Sequence, residues 1–254
     1  MKKAKYKIGD IYITKQGYNI ELIEHTSYND NLIRFENGHI VKSAMKEVLN
    51  GGIKNPFCPS VCNIGYFGVG GYKSKNNDKK TIEYQTWRDV IKRCYNEKQL
   101  IRYPTYKNVT MCEDWLNFQN FARWFTENFP IIEGVKFRID KDLLQQDIKN
   151  KIYSPSTCIF LPESINSFLT NNQPKHNTSG YIGVSLNKSY KNVTWKAQIN
   201  DFETGKYICI KCNCDTIEEA VELYKIERYK NAEKVKEYLR SLNYLPEEII
   251  QLIK

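Results

Sequence analysis

Apolar and polar positions alternate over the first part of the chain, from Lys7 to Val48. Ile11, Ile13, Ile20, Leu22, Ile33, Phe35 and Ile40 recur at alternate places within short runs. That is the period of a strand with one buried face. Gln16-Gly17 and Asn37-Gly38 punctuate the runs, and Asn37-Gly38 predicts a two-residue hairpin turn. The expected object is a small β-barrel-like domain or curled sheet over 1–56. Asn50-Gly51-Gly52 and the loop from Asn55 to Pro59 end it. Residues 57–80 read as a linker containing Gly65, Gly68, Gly70 and Gly71 and a polar run from Lys73 to Lys80. These glycines lack the Gly-Lys-Ser/Thr ending and the strand–turn–helix frame of a nucleotide-binding loop.

Near Thr81 the period becomes helical. Tyr84, Trp87, Val90, Ile91, Cys94 and Tyr95 share one face, and Trp115, Phe118, Phe121, Ala122 and Phe125 predict a second helix after Cys112. Spacing of this kind buries a single stripe, so the aromatics read as core and not as a base-stacking platform. A strand-like piece from Val135 to Leu143, another at Ile159-Phe160-Leu161 and a short helix from Pro162 to Leu169 complete a central domain over 81–170. Residues 171–178 read as a second linker.

Three strand segments follow, Tyr181 to Leu186, Val193 to Asn200 and Lys206 to Ile210. Thr216 with Glu219 fits a helix capping box, and Ile217, Ala220, Val221 and Tyr224 form an apolar stripe behind it. The expectation is three strands under one helix over 179–230, with a helical extension over 231–254. The fold class of the whole chain is therefore α+β. In the middle strand, alternation puts Trp195, Ala197 and Ile199 on one face and Lys196, Gln198 and Asn200 on the other.

Charge sharpens this picture. The 254 residues carry a formal net charge of +9, which favours a polyanionic partner. From Lys175 to Cys214 six lysines face two carboxylates; from Asp215 to Glu227 five carboxylates face one lysine. A basic sheet backed by an acidic helix suits a phosphate backbone, and Gln and Asn on such a sheet can read adenine in the major groove. Double-stranded DNA is the expected partner.

The eight cysteines form no paired C-x-x-C knuckles, and no histidine lies near Cys209, Cys212 and Cys214. Reduced packing thiols are expected in preference to structural zinc. No apolar run approaches the length of a membrane span, and the start MKKAKYKIGD has no apolar stretch like that of a secretory signal. No membrane role and an intracellular location follow as expectations.

The order SGYIGVS, WKAQI, a further strand and DTIEEAVELY resembles the AP2 family of DNA-binding domains over about 50 residues. The resemblance implies a three-stranded sheet lying in the major groove with a helix behind it. It places Ser185, Asn187, Lys196, Gln198 and Asn200 on the groove side, with Lys188 and Lys191 beside them. Ile182 and Ser185 stand where many plant members have Arg on the first strand, and Lys211-Cys212-Asn213-Cys214 replaces the usual LGxF. DNA binding is implied; the family's known target sequences are not.

WRDVIKRCYN, YKNVTMCEDWLNFQNFARWF and RIDKDLL followed by NKIYSPSTCIFLPESIN resemble phage and mobile-element proteins related to HNH endonucleases. The resemblance spans about Trp87 to Asn166 and implies the cytoplasm of a bacterial host cell. Such a nuclease needs a base, usually His, and a divalent cation such as Mg²⁺ against the scissile phosphate. His25, His39 and His176 all lie outside the matched blocks. The resemblance puts Asp140 where a base or metal ligand is expected, Asp142 beside it, Asn166 at the place of a late polar ligand, and Thr157 where relatives have Asn. Asp140, Asp142 and Asn166 are the candidate catalytic residues, and Asp140 and Asn166 the candidate metal ligands. Alternatively, Asp140 and Asp142 flank Lys141 as a surface charge cluster. Three functions remain open: a metal-dependent endonuclease targeted by the AP2-like module, a non-catalytic DNA-binding regulator, and a phage protein acting by protein–protein contact.

Overall fold

The computed structural model describes residues 5–170, 177, 179–189 and 192–254. The architecture is α+β, built of several small sheets and helices. In chain order the strands and α-helices begin with β1 (Ile11–Ile13), β2 (Asn19–Ser27), β3 (Asp30–Phe35), β4 (Ile40–Ser43) and α1 (Met45–Leu49). Next come β5 (Lys75–Asn76), β6 (Lys79–Lys80), α2 (Ile82–Tyr95), α3 (Glu97–Arg102), β7 (Thr110–Met111), α4 (Glu113–Leu116) and α5 (Phe118–Asn128). Then follow β8 (Phe137–Asp140), β9 (Ile152–Tyr153), β10 (Ile159–Pro162) and α6 (Glu163–Leu169). The chain closes with β11 (Val184–Ser189), β12 (Asn192–Asn200), β13 (Tyr207–Cys214), α7 (Ile217–Leu242) and α8 (Glu247–Ile250). It divides into two compact units, Met1–Lys92 with Glu113–Phe121, and Arg93–Cys112 with Ala122–Lys254.

In the first unit β1 to β4 pair in sequence order as an antiparallel meander. Ile20, Leu22, Ile33 and Phe35 bury its inner face against Met45, Val48 and Ile53. The sheet is open, with β1 and β4 as its edges, so it is a meander and not a closed barrel. The Asn37-Gly38 turn also differs from its prediction. Gly38 has φ +82° and donates to Phe35 O (2.9 Å), while Phe35 N donates to His39 O (2.8 Å). Asn37 keeps a negative φ, so a type I turn closes on a left-handed glycine and the loop is one residue longer than two. Gly17 repeats the arrangement between Thr14 and Tyr18.

The segment 57–80, expected as a linker, is folded. The Phe67 ring stacks on Phe118 with centroids 5.2 Å apart. Gly68, at φ +72°, passes so close to the Asn117 side chain that a Cβ would collide with it. Trp87 is fully buried and donates its ring N–H to Trp115 O (2.8 Å). The single helix expected after Cys112 is broken at Asn117. There Tyr66 N donates to Leu116 O and Phe118 N to Tyr66 O, both at 2.9 Å. A strand-like bridge thus replaces helix bonds, and Asn117 Oδ1 takes the N–H of Gln119 (3.0 Å) to start α5.

In the second unit β8 pairs antiparallel with β10, and α6 follows directly, so two strands and a helix form its centre. β11, β12 and β13 form a separate antiparallel sheet. Helix α7 serves both. Its first turns cover the three-stranded sheet through Ala220, Val221 and Tyr224. Its later turns supply Ala232, Val235 and Leu239 to a core with Leu161, Ile165, Phe168, Phe202, Ile250 and Ile253. The helix therefore runs unbroken through residue 230, where the sequence reading ended the module, because its apolar stripe continues into a second core. Thr216 caps it, taking the N–H of Glu219 (3.1 Å), while Glu219 takes the N–H of Asp215 (2.9 Å).

Cysteines 94, 158 and 214 are buried thiols. Cys209 and Cys212 are joined as a disulfide, against the expectation of packing thiols. β13 bulges opposite Ala197, and that break in alternation lets the two side chains meet. Among the described residues no helix is long and apolar enough to cross a membrane.

Candidate nucleic-acid interface and candidate active site

The three-stranded sheet is two-faced, as its alternation predicts. Val184, Ala197 and Cys214 are buried against Ala220, with Trp195, Ile210, Ile217 and Tyr224 packed around them. Gly183 permits the close approach. It has φ +71°, and a Cβ there would strike the Tyr224 ring and the Gln198 carbonyl. Lys196 stands on the opposite face, directly across from Ser185, with Gln198 two residues along.

Two other nominated residues are engaged within the protein. The Asn187 amide donates to Cys212 O (2.7 Å) and Asn213 Oδ1 (3.1 Å), which uses both its N–H groups. The Asn200 side-chain oxygen is buried without a hydrogen-bond partner, so it is not offered to a groove. The side chain of Lys188, all of Lys191 and His176 lie outside the described residues. Lys211 pairs with Glu219 of α7, so its charge is already matched.

The candidate catalytic residues meet in a cavity of about 880 Å³ in the second unit. Asp140 enters from the end of β8, Asn166 from α6, and Arg228 from α7. The wall carries six basic side chains (Arg93, Lys141, Lys149, Lys151, Arg228, Lys254) against the carboxylates of Asp140, Asp142 and Asp147. It is therefore a cationic cavity. Arg228 lies over the Phe168 ring, its guanidinium carbon 3.7 Å from the centroid, and donates to Phe168 O (2.7 Å).

The chain folds locally around the two carboxylates. Asp140 Oδ1 accepts the backbone N–H of Asp142 (2.9 Å) and of Leu143 (2.8 Å), capping the single 3₁₀ turn Leu143–Gln145. Gln145 is buried and staples that turn to β9, giving its amide N–H to Lys141 O and Ile152 O and taking the N–H of Ile152. Lys141 is buried too, its side chain 7% exposed. Its ammonium reaches both oxygens of Asp142 (2.8 and 2.9 Å) and lies over the rings of Tyr106 and Tyr153. Lys151 adds a second ion pair to Asp142 at 2.6 Å. Asp140 and Lys141 are thus interior groups while the Asp142 side chain is half exposed, so the alternative of a surface charge cluster holds for Asp142 alone.

Burial pushes the Asp140 carboxyl above its ordinary range, against the pull of the Leu143 N–H. Burial also resists ionisation of Asp142, but the hydrogen bonds from Lys141 and Lys151 outweigh it and hold that carboxyl below its ordinary range. Thr157 closes a neighbouring turn, taking the N–H of Ser154 (3.0 Å) and giving its hydroxyl to Ile152 O (2.7 Å).

These residues do not fit a divalent cation. A hard cation takes free carboxylate and carbonyl oxygens. Here one oxygen of Asp140 caps a turn, Asp142 is matched by two ammonium groups, and the surrounding wall is positive. Among the described residues no three His, Cys, Asp or Glu side chains come together as a metal site. His25 and His39 belong to the meander of the first unit, where His39 stacks on Phe35.

The sequence reading missed Lys141 and Arg228 as cavity residues. A lysine between two acids reads as solvated, and Arg228 lies in a helix that the sequence assigned to the covering of the C-terminal sheet. Comparison with protein-family models, curated proteins and solved structures finds no match to this chain.

Proposed function

We propose that this chain is a duplex DNA-binding protein, related to phage HNH endonucleases and reading DNA through an AP2-like sheet. In this reading the central cavity receives a backbone phosphate instead of serving a catalytic metal. The observation that carries it is the two-faced sheet, with one face packed on α7 and Lys196, Gln198 and Ser185 on the other. Lys196 supplies charge to a phosphate, while the Gln198 amide can bond bidentately to an adenine edge. The wealth of ammonium and guanidinium groups around the cavity supports its part, since each phosphate contact releases condensed counterions.

The test is a pair of salt titrations of the full chain, on a selected site and on random duplex. Lys196→Ala is expected to weaken binding to both DNAs and to lower the salt slope by about one unit. Gln198→Ala is expected to narrow the gap between the two by about 1–3 kcal/mol. Equal losses on both DNAs for both variants would refute sequence reading by this face. Incubation of plasmid with Mg²⁺ or Mn²⁺ checks the other limb: cleavage abolished by Asp140→Ala would replace this reading with that of an active endonuclease.

A further inference from the structure

The polar run from Lys73 to Lys80 folds as a ribbon. β5 and β6 pair with Lys75 opposite Lys80 and Asn76 opposite Lys79. Asn77 (φ 45°) and Asp78 (φ 62°) form the two-residue turn. Both are left-handed, the geometry whose twist matches a two-stranded ribbon. The ribbon is anchored at its base. Buried Gln119 takes the N–H of Tyr72 and gives its own N–H to Tyr72 O, both at 3.0 Å. Thr81 closes the other side, its hydroxyl on Lys73 O (3.0 Å) and its N–H on Ser74 O (3.2 Å), immediately before α2 begins.

Lys73, Lys75, Lys79 and Lys80 are all exposed on this ribbon, against the single carboxylate of Asp78. None of the four is in an ion pair among the described residues. Lys75 and Lys80 are direct cross-strand partners, an arrangement of like charges that opposes hairpin formation. A polyanion turns that repulsion into attraction. The ribbon has the width of an element that enters the major groove of duplex DNA, and lysines supply charge without base selectivity.

We propose that this Lys73–Lys80 ribbon is a second, sequence-independent contact to the phosphate backbone of duplex DNA, separate from the reading sheet. It rests on the proposed function only for the identity of the polyanion. The experiment compares the full chain with a Lys73→Gln/Lys75→Gln/Lys79→Gln/Lys80→Gln variant and with Gln198→Ala. Binding is followed by fluorescence anisotropy on selected and random duplexes across a salt series, with anionic phosphatidylserine vesicles as a parallel probe. Circular dichroism checks that the ribbon variant, altered only at exposed positions, keeps its fold.

The ribbon variant is expected to lower the slope of log affinity against log salt by about 3–4 units, near 0.9 for each lost phosphate contact. It should keep the ratio between selected and random DNA, the opposite of Gln198→Ala. An unchanged slope in the ribbon variant overturns the ribbon contact and leaves the proposed function standing. A full chain that binds no duplex overturns both. A variant that loses vesicle binding while its DNA slope is unchanged assigns the ribbon to a lipid surface and overturns the inference.

Discussion

Asp142→Asn tests the reading of the cavity most directly. The substitution keeps shape and removes charge. Lys141 is then left with a buried ammonium whose two close contacts, 2.8 and 2.9 Å, were to the Asp142 carboxylate. Breaking a buried pair from one side destabilises by about 3–5 kcal/mol. Two features bring the expectation to the lower end. The Asp142 side chain is 53% exposed, so water reaches the gap, and the Asp140 carboxylate stays near Lys141. We expect a loss of about 3 kcal/mol, a shift of the urea midpoint of about 1–3 M. Lys141→Met added to Asp142→Asn removes the stranded charge and should recover most of that loss. The pH dependence has a definite sign. In the unaltered protein the lowered Asp142 carboxyl contributes stability above about pH 3.9, which disappears as pH falls through the folded-state value. The gap between the two proteins should therefore narrow at acid pH, as the pH falls below about 3.9. Urea unfolding followed by circular dichroism at about pH 2.5, 4 and 7 measures it. Asp142→Asn within about 0.5 kcal/mol of the parent at pH 7, where simple surface changes fall, would falsify the buried pair. So would a double variant no more stable than the single.

Asp140→Asn keeps the oxygen that accepts from Asp142 and Leu143 while removing a carboxylate raised by burial. A raised acid contributes stability below its unfolded pKa that is lost as pH rises through the folded value, so at pH 7 the amide should match or exceed the parent in melting temperature. A marked drop at pH 7, restored by added Mg²⁺, would show a metal ligand instead of a turn cap. Gly183→Ala should destabilise the second unit by about 2–4 kcal/mol, from a left-handed backbone and a collision with Tyr224. A thermal melt unchanged by that alanine would mean that α7 does not press on β11 as described.

Several elements were legible from the sequence because their causes are local. The helical spacing of Trp87, Val90, Ile91 and Cys94 lies on α2 with all four buried. Alternation along β12 sorted Ala197 and Ile199 to the covered face. The capping box at Thr216 and Glu219 set the start of α7. Periodicity and caps act within one turn or one rung, so neighbours in sequence carry the information. The two strands and the helix at the centre of the second unit were legible as apolar runs, but that Asp140 and Asn166 line one cavity was not.

What the tertiary structure decided were roles that depend on distant partners. Asn187 belongs to a strand whose outer face should be free, yet its amide is occupied by Cys212 and Asn213 on β13. Gln119 sits on an apolar helix face and would read as a misplaced polar residue, but it binds both backbone groups of Tyr72. Lys141, flanked by two acids, looks solvated until Tyr106 and Tyr153 close over it. The sequence by itself determined the longer elements, such as β2, β3, β12, α2 and the start of α7, and which face of each is apolar, because those follow from spacing and capping. Only the fold decided which polar groups are buried, paired or left for a ligand, because charge and hydrogen bonding act between residues that the chain brings together from far apart.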